Sequence, residues 1–292
     1  MNHLFASIIT IGDELLIGQV IDTNSAWMAV ELNKIGVSIK KRIAVGDVKE
    51  DIINALNEAS KQADIILITG GLGPTADDIT KPLLCEYFIG KMIMDEATLA
   101  HVTVIFERIL KRPMIERNRL QAMVPDVCTV LKNEKGTAPG MLFEKENKIF
   151  IALPGVPHEM KWIMANHVLP LITAKFNTPY IAHKTLLTAG IGESFLAELI
   201  QEEENKLPNN IKLAYLPNYG MVRLRLSASG KNKAETEPIL QEHFQQLKTK
   251  VAPYLVIDED ISLQEAVGKM LLAKGATLAT AESCTGGYIA HL

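Results

Sequence analysis

The chain alternates short apolar runs with amphipathic stretches, and the period of the apolar positions separates strands from helices. Phe5 to Ile11 and Asp64 to Thr69 are nearly continuous apolar runs, the form taken by strands buried on both faces. Asp22-Thr23-Asn24-Ser25 offers several N-caps for a helix reaching about Lys34, closed by Gly36 as the residue after its end. Val37 to Val45 reads as a second strand and Glu50 to Ala59 as a second helix. The β-α-β-α-β order predicts an α/β fold with a parallel sheet covered on both faces, three layers in all. In such sheets ligands bind beyond the carboxyl ends of the strands. Three loops collect at that edge: 12–25, 46–47 and 70–80.

Farther on, Asp95 to Met123 reads as helical with an interruption at Pro113. Val127 to Leu131 is a short strand, and Gly140 to Phe143 with Lys148 to Leu153 form a hairpin around Glu146-Asn147. Pro157 suits the first turn of a helix running to about Leu169. The pattern changes between Pro170 and Pro179, which places a boundary there and gives a first domain of residues 1–170. Residues 171–258 then read as a small α+β domain in βαββαβ order. Its strand Met221 to Ala228 alternates apolar and polar positions, the mark of one buried face. From 259 to 292 the pattern starts again: a helix from Leu263 to Lys274, a strand from Thr277 to Ala281, and the turn Glu282-Ser283-Cys284-Thr285-Gly286-Gly287. Roughly 30 residues cannot bury a sizeable core. This segment is expected to be the start of a third α/β domain, poorly packed in isolation.

Composition narrows the function classes. At 292 residues the chain exceeds one average domain. A net charge of −4 with 5% aromatic residues supplies neither a basic field nor a stacking surface, so nucleic acid is not an expected partner. Arg108, Lys111, Arg112, Arg117 and Arg119 form a local basic cluster, read either as a solvated helix face or as a patch for an anionic substrate or second subunit. The cysteines Cys85, Cys128 and Cys284 are scattered and odd in number, which fits a reducing compartment. No run approaches the about 20 apolar residues of a membrane span, and the first residues lack a basic leader. A cytoplasmic protein without a membrane partner is expected.

The densest chemistry lies in Thr69-Gly70-Gly71-Leu72-Gly73-Pro74-Thr75-Ala76-Asp77-Asp78-Ile79-Thr80, between a strand and a helix. Glycines allow close approach of backbone to ligand, and N–H groups at such a turn hold phosphate oxygens. Asp77 and Asp78 are the ligands a hard divalent cation needs beside phosphates. A purely structural turn is the plainer alternative. Plainer roles exist elsewhere too: Asp47, Asn24, Asp78 or Thr80 as helix caps, Gly155 and Pro157 as shapers of a turn, His158 as a surface or capping residue.

Taken together, several segments resemble the CinA family, whose amino-terminal domain is similar to molybdopterin-binding domains of MogA and MoeA type. They are Gly12-Asp13-Glu14-Leu15-Leu16 with Gly18, Asp22-Thr23-Asn24-Ser25, Val45-Gly46-Asp47, Thr69 to Thr80, Leu153 to Met160, and Glu282 to Gly287. The resemblance implies a metal-dependent ADP-ribose pyrophosphatase in the first domain, yielding AMP and ribose 5-phosphate in pyridine-nucleotide recycling. It implies a KH-like middle domain and the beginning of a nicotinamide mononucleotide deamidase domain. Carried over, Asp47, Asp77 and Asp78 are candidates for metal ligation and water activation, with those roles not divided among them. Gly70, Gly71, Gly73 and Thr75 would hold phosphate, Asn24 and Ser25 ribose or phosphate, and Glu14 and Gly155 would complete the substrate site. The cofactor expected is a divalent ion (Mg, Mn, Co or Ni), with a monovalent cation as a further candidate, and the expected assembly is a homodimer. Ser283 matches the amidase nucleophile, but the base to activate it would lie downstream of this sequence, so deamidation is expected only of a longer chain. Two alternatives stand beside hydrolysis: molybdopterin binding or adenylylation, and a non-catalytic nucleotide-binding module.

Overall fold

A computed structural model describes residues 4–75 and 78–292. Its contacts divide the chain into two compact units, residues 1–179 and 180–292.

The first unit is built on a six-stranded sheet. In chain order the strands are β1 (Phe5–Ile11), β2 (Ser38–Val45), β3 (Ile65–Thr69), β4 (Thr129–Leu131), β5 (Gly140–Lys145) and β6 (Lys148–Leu153). They lie in the order β2-β1-β3-β6-β5-β4. The first four of that order run parallel, joined by helices α1 (Thr23–Lys34), α2 (Lys49–Gln62) and α3 (Thr80–Tyr87). β5 and β4 are antiparallel additions, so the sheet is mixed and mostly parallel. The cause is local. Glu146 and Asn147 both take positive φ (52° and 61°), the two-residue turn that matches the twist of a tight hairpin and forces β5 and β6 into opposite directions.

β3 sits between β1 and β6, and all five of its residues are buried. Its side chains alternate between two apolar layers. Ile65 and Leu67 join Ala6, Ile8, Met28, Leu32, Ile149 and Ile151 on one face. Ile66 and Ile68 join Ile9, Ile52, Leu56, Leu84, Phe143 and Phe150 on the other. Helix α4 (Pro157–Ile163) continues through a π-helical turn into Leu169–Lys175. Ile172 packs in the first layer, so this helix carries the unit past the expected limit at residue 170. The break falls at Pro179 instead, because the apolar face of the helix is what fixes it to the sheet. Between α3 and β4 the expected long helix is short: Glu96–Thr103 passes into a π-helical stretch, Val104–Ile109, and ends at Lys111, whose φ is 51°. The basic residues Arg108, Lys111, Arg112, Arg117 and Arg119 are exposed, as both a solvated face and a patch for an anionic substrate or second subunit require.

The second unit is a four-stranded antiparallel sheet with helices packed on it, a small α+β domain. Strands β7 (Tyr180–Ala189), β8 (Ile211–Asn218), β9 (Met221–Gly230) and β10 (Leu255–Ile257) lie in the order β8-β9-β7-β10. Helices α5 (Glu193–Asn205) and α6 (Lys233–Lys250) cover the face made by Val222, Leu224, Leu226 and Ala228. The segment expected as a third domain falls within this unit. Helix α7 (Leu263–Ala273) forms, but the expected strand from Thr277 to Ala281 does not. Among the described residues no strand lies beside it to complete its hydrogen bonds, and a lone extended segment leaves its backbone to water. Beyond residue 261, Ala266 is the one buried residue among those described. No helix among the described residues is long and apolar enough to cross a membrane.

Candidate functional site

Four parallel strands end at one edge of the sheet, and the loops that leave them surround a cavity of about 570 Å³. That lies within the roughly 300–1,000 Å³ of small-molecule sites. Gly12 and Glu14 follow β1, Asp47 follows β2, Gly70, Gly71, Gly73 and Asp78 follow β3, and Gly155 follows β6; all line it, with Asn24 at the start of α1. The residues are distant in sequence and meet because parallel strands deliver their carboxyl ends to a common margin.

The loop after β3 is shaped by two glycines with positive φ, Gly70 (111°) and Gly71 (64°). A Cβ on Gly70 would overlap the Ile11 carbonyl oxygen, and one on Gly71 the Thr80 hydroxyl. The Gly70 N–H donates to Leu153 O at 3.3 Å. Gly70 therefore lines the cavity as the point where β1, β3 and β6 close together, and its amide does not serve as the phosphate donor expected of it. Thr75 is engaged in the same way. Its N–H donates to Asp78 Oδ2 at 2.9 Å and its hydroxyl bonds the same oxygen, so both donors brace the loop. Asp78 and Thr80 do not cap α3, whose N-cap is Ile79. Asp77 lies outside the described residues.

Ser25 is fully buried, behind the cavity wall. Its N–H donates to Asp22 Oδ1 at 2.9 Å and its hydroxyl bonds Asp22 Oδ2, with Arg42 Nε donating to that hydroxyl at 2.8 Å. Asp22 is the N-cap of α1, so Ser25 secures the helix start, and of the two residues only Asn24 lines the cavity. Asn24 Nδ2 donates to Gly155 O at 2.7 Å, which ties α1 to the turn after β6. Asp47 is no cap either; Val48 holds that place for α2. Its Oδ2 accepts from the Asp13 N–H at 3.2 Å, and the Asp47 N–H donates to Asp13 Oδ1 at 3.2 Å.

Several residues on the cavity are not legible as site residues in sequence: Asp22, which reads as a helix cap, Gln121, Thr137 and Glu159, and Asp13 beside it. Asp13 stands within the Gly12-Asp13-Glu14 turn, where residue type does not separate it from its neighbour Glu14. Gln121 gave no signal, since it arrives from the distant 96–122 segment. It is 4% exposed, and its carbonyl accepts from Lys81 Nζ at 2.9 Å. Lys81 is itself buried; loss of solvation pulls its ammonium down to about 8, against the opposing fields of Cys128 and Asp78. Ser283 is exposed on its turn, where its carbonyl accepts from the Gly286 N–H.

The carboxylates on the cavity give an all-oxygen donor set, the chemistry of a hard divalent cation. Among the described residues no group of three or more His, Cys, Asp or Glu side chains is close enough to form a cage. A magnesium-type ion does not need one, because it takes one or two carboxylates together with substrate phosphates and water. Asp47 and Asp78 suit such an ion.

The chain matches three family descriptions in series: "Probable molybdopterin binding domain" over residues 7–174, "Damage-inducible protein CinA KH domain" over 183–256, and "CinA C-terminal domain" over 260–292. It is 50% identical to a CinA-like protein of Flavobacterium psychrophilum over 98% of this chain and 68% of that one. A CinA-like protein of Cytophaga hutchinsonii is 44% identical over 100% of this chain and 69% of its own. The crystal structure of CinA, a protein of unknown function from Thermoplasma acidophilum, superposes with a TM-score of 0.53 at 30% identity. It covers 59% of this chain and 100% of its own. With three domain types matched in order and relatives similar along nearly its whole length, the chain belongs to the CinA family.

Proposed function

We propose that the cavity at the carboxyl edge of the first sheet hydrolyses the diphosphate of ADP-ribose, with a divalent cation, to AMP and ribose 5-phosphate. The observation that carries the reading is the convergence of Glu14, Asp47 and Asp78 with the Gly71–Gly73 backbone on one cavity of nucleotide size. A diphosphate repels an attacking water, so catalysis needs neutralised oxygens and a fixed attack geometry. The chemistry a bound divalent cation supplies is charge neutralisation and Lewis acidity. The N–H groups of Gly71 and Gly73 bind phosphate oxygens, a duty that passes to them because Gly70 is engaged by Leu153. Asp47, oriented by the Asp13 N–H, would hold the cation. Asp78 Oδ1, the oxygen not bonded to Thr75, accepts the proton of the attacking water. Water oxygen forms the new P–O bond, the bridging P–O bond breaks, and the leaving phosphate departs as the second product. Asp77 belongs to the same acidic run and is assigned to the cation on sequence grounds. Incubating the purified chain with ADP-ribose and Mg, Mn, Co or Ni, and assaying AMP, tests the reading. A folded sample without turnover with any ion removes it.

Molybdopterin binding is a second reading, favoured by the family description matched over residues 7–174. Calorimetric titration with a pterin phosphate against ADP-ribose separates the two. Ligand binding without turnover would instead make the domain a nucleotide-binding module. Ser283 is not part of the proposed site.

A further inference from the structure

Three acidic residues in a row, Asp258-Glu259-Asp260, follow β10 and lead into α7. Each carboxylate meets a cation from a different element. Lys248 of α6 donates to Asp258 Oδ2 at 2.6 Å, Lys269 of α7 donates to Glu259 Oε2 at 2.5 Å, and the Arg223 guanidinium of β9 lies 3.4 Å from Asp260 Oδ1. Arg223 Nη2 also donates to Ile261 O at 2.8 Å. Hydrogen bonds between ionised partners favour the charged form of each. The bond from Lys248 holds the Asp258 carboxyl below its usual range, and the bond to Glu259 raises the Lys269 ammonium above its own. Residues 258–261 are thus fastened in three directions: to a strand, to the helix before them and to the helix after them.

Apolar packing contributes little at the same junction. Ala266 is the one buried residue of α7, while Leu263, Val267, Met270 and Leu272 are all exposed. A helix of 11 residues is marginal by itself in water. What α7 has instead is a cap, with Ser262 Oγ accepting from the Glu265 N–H at 3.1 Å, and the bond from Lys269 back to Glu259. Lys269 also lies 3.8 Å from Glu265 of its own helix. The six partners of the three linker pairs are between 33% and 66% exposed, so each pair is individually weak and yields to salt.

We propose that Asp258, Glu259 and Asp260 are an ionic clasp that holds α7 to the rest of the second unit and releases it when their charges are screened. The clasp lies where the match to the KH domain ends, at residue 256, and the match to the C-terminal domain begins, at 260. Closed, it sets one direction in which the chain enters that region. Open, it leaves the direction to the freedom of the linker. The clasp is independent of the chemistry proposed for the cavity.

Hydrogen–deuterium exchange of the full chain tests it, read on the amides of α7 against those of α5, which carries no member of the clasp. Between about 0.01 M and about 1 M salt the screening length falls from about 30 Å to about 3 Å. Over that range α7 of the wild type should come to exchange about fivefold faster, with α5 unchanged. Unchanged exchange of α7 would overturn the proposal, as would equal acceleration of α5, which would mean that the whole unit loosens; no variant needs to fold for this arm. Asp258→Asn, Glu259→Gln and Asp260→Asn combined should give α7 the fast exchange already at low salt and remove its response to salt. Protection of α7 equal to that of the wild type would overturn the proposal too. Asp258→Lys alone should speed exchange, and Lys248→Asp added to it should slow it again. A double variant no slower than the single one would show that shape, not charge, fixes the junction, and the clasp would be withdrawn.

Discussion

Asp13 and Asp47 accept each other's backbone N–H, at 3.2 Å in each direction, across 34 residues of sequence. This reciprocal clasp joins the loop after β1 to the loop after β2 and fixes the Asp47 carboxylate at the cavity. Gly46 is part of it, since a Cβ there would press on Asp13 Oδ1. The clasp makes Asp13 a positioning residue. Asp13→Asn keeps an acceptor for the Asp47 N–H and should retain most ADP-ribose turnover. Asp13→Ala should lower kcat by about tenfold while costing only about 1 kcal/mol in urea unfolding. Equal turnover in the two variants would show that the clasp does not orient the site.

Gly70→Ala places a methyl against the Ile11 carbonyl at a φ of 111°, a conformation that alanine avoids. Steric overlap and backbone strain together should cost roughly 2–4 kcal/mol. Gly18→Ala is the control, also at positive φ (74°) but with nothing within 4 Å of the new methyl. Strain alone should cost it about 1 kcal/mol. Denaturant midpoints measured side by side distinguish the two.

Lys81 gives the fold a pH dependence of known sign. Burial lowers its ammonium to about 8 from 10.5, so between those values the unfolded chain holds a proton that the folded chain has lost. Stability from this group therefore rises as pH climbs from 8 towards 10.5, and the penalty is fully present below 8. The whole excursion is worth up to about 3 kcal/mol. Other groups titrate in the same window, so the readout is a difference. Wild type should gain stability relative to Lys81→Met over that range, and parallel curves would contradict the assignment.

The cavity is lined by residues between Thr10 and Glu159, all inside the unit that ends at Pro179. A chain ending at Pro179 should fold, with a cooperative transition, and keep the ADP-ribose turnover of the longer protein within about twofold, since no lining residue is removed. Loss of turnover from a folded fragment would place part of the site in the second unit.

Leu67 is fully buried at the centre of the sheet. Leu67→Ala should cost about 2–5 kcal/mol and weaken ligand binding only through the loss of folded protein, a distinction that binding assays corrected for the folded fraction can read.

Much of this protein was set by local sequence. The apolar runs of β1 and β3, the alternation in β9 and the glycine turn after Thr69 carry their structures in the residues themselves, because strand burial and positive φ are imposed over a few positions. The order of those elements also placed the loops of Glu14, Asp47 and Gly70–Asp78 at a common edge, since parallel strands joined by helices leave little choice of where their ends meet. Tertiary structure decided what each polar group does there. Ser25, Gly70 and Thr75 look like ligand contacts in sequence, yet their donors are taken by Asp22, Leu153 and Asp78. Gln121 reaches the cavity from a distant segment with no signal at that residue, and among the described residues the strand expected at Thr277 to Ala281 has no neighbour to pair with. Hydrogen bonds are pairwise and often long-range, so a residue type shows what a group can donate or accept, and only the fold shows which partner it meets.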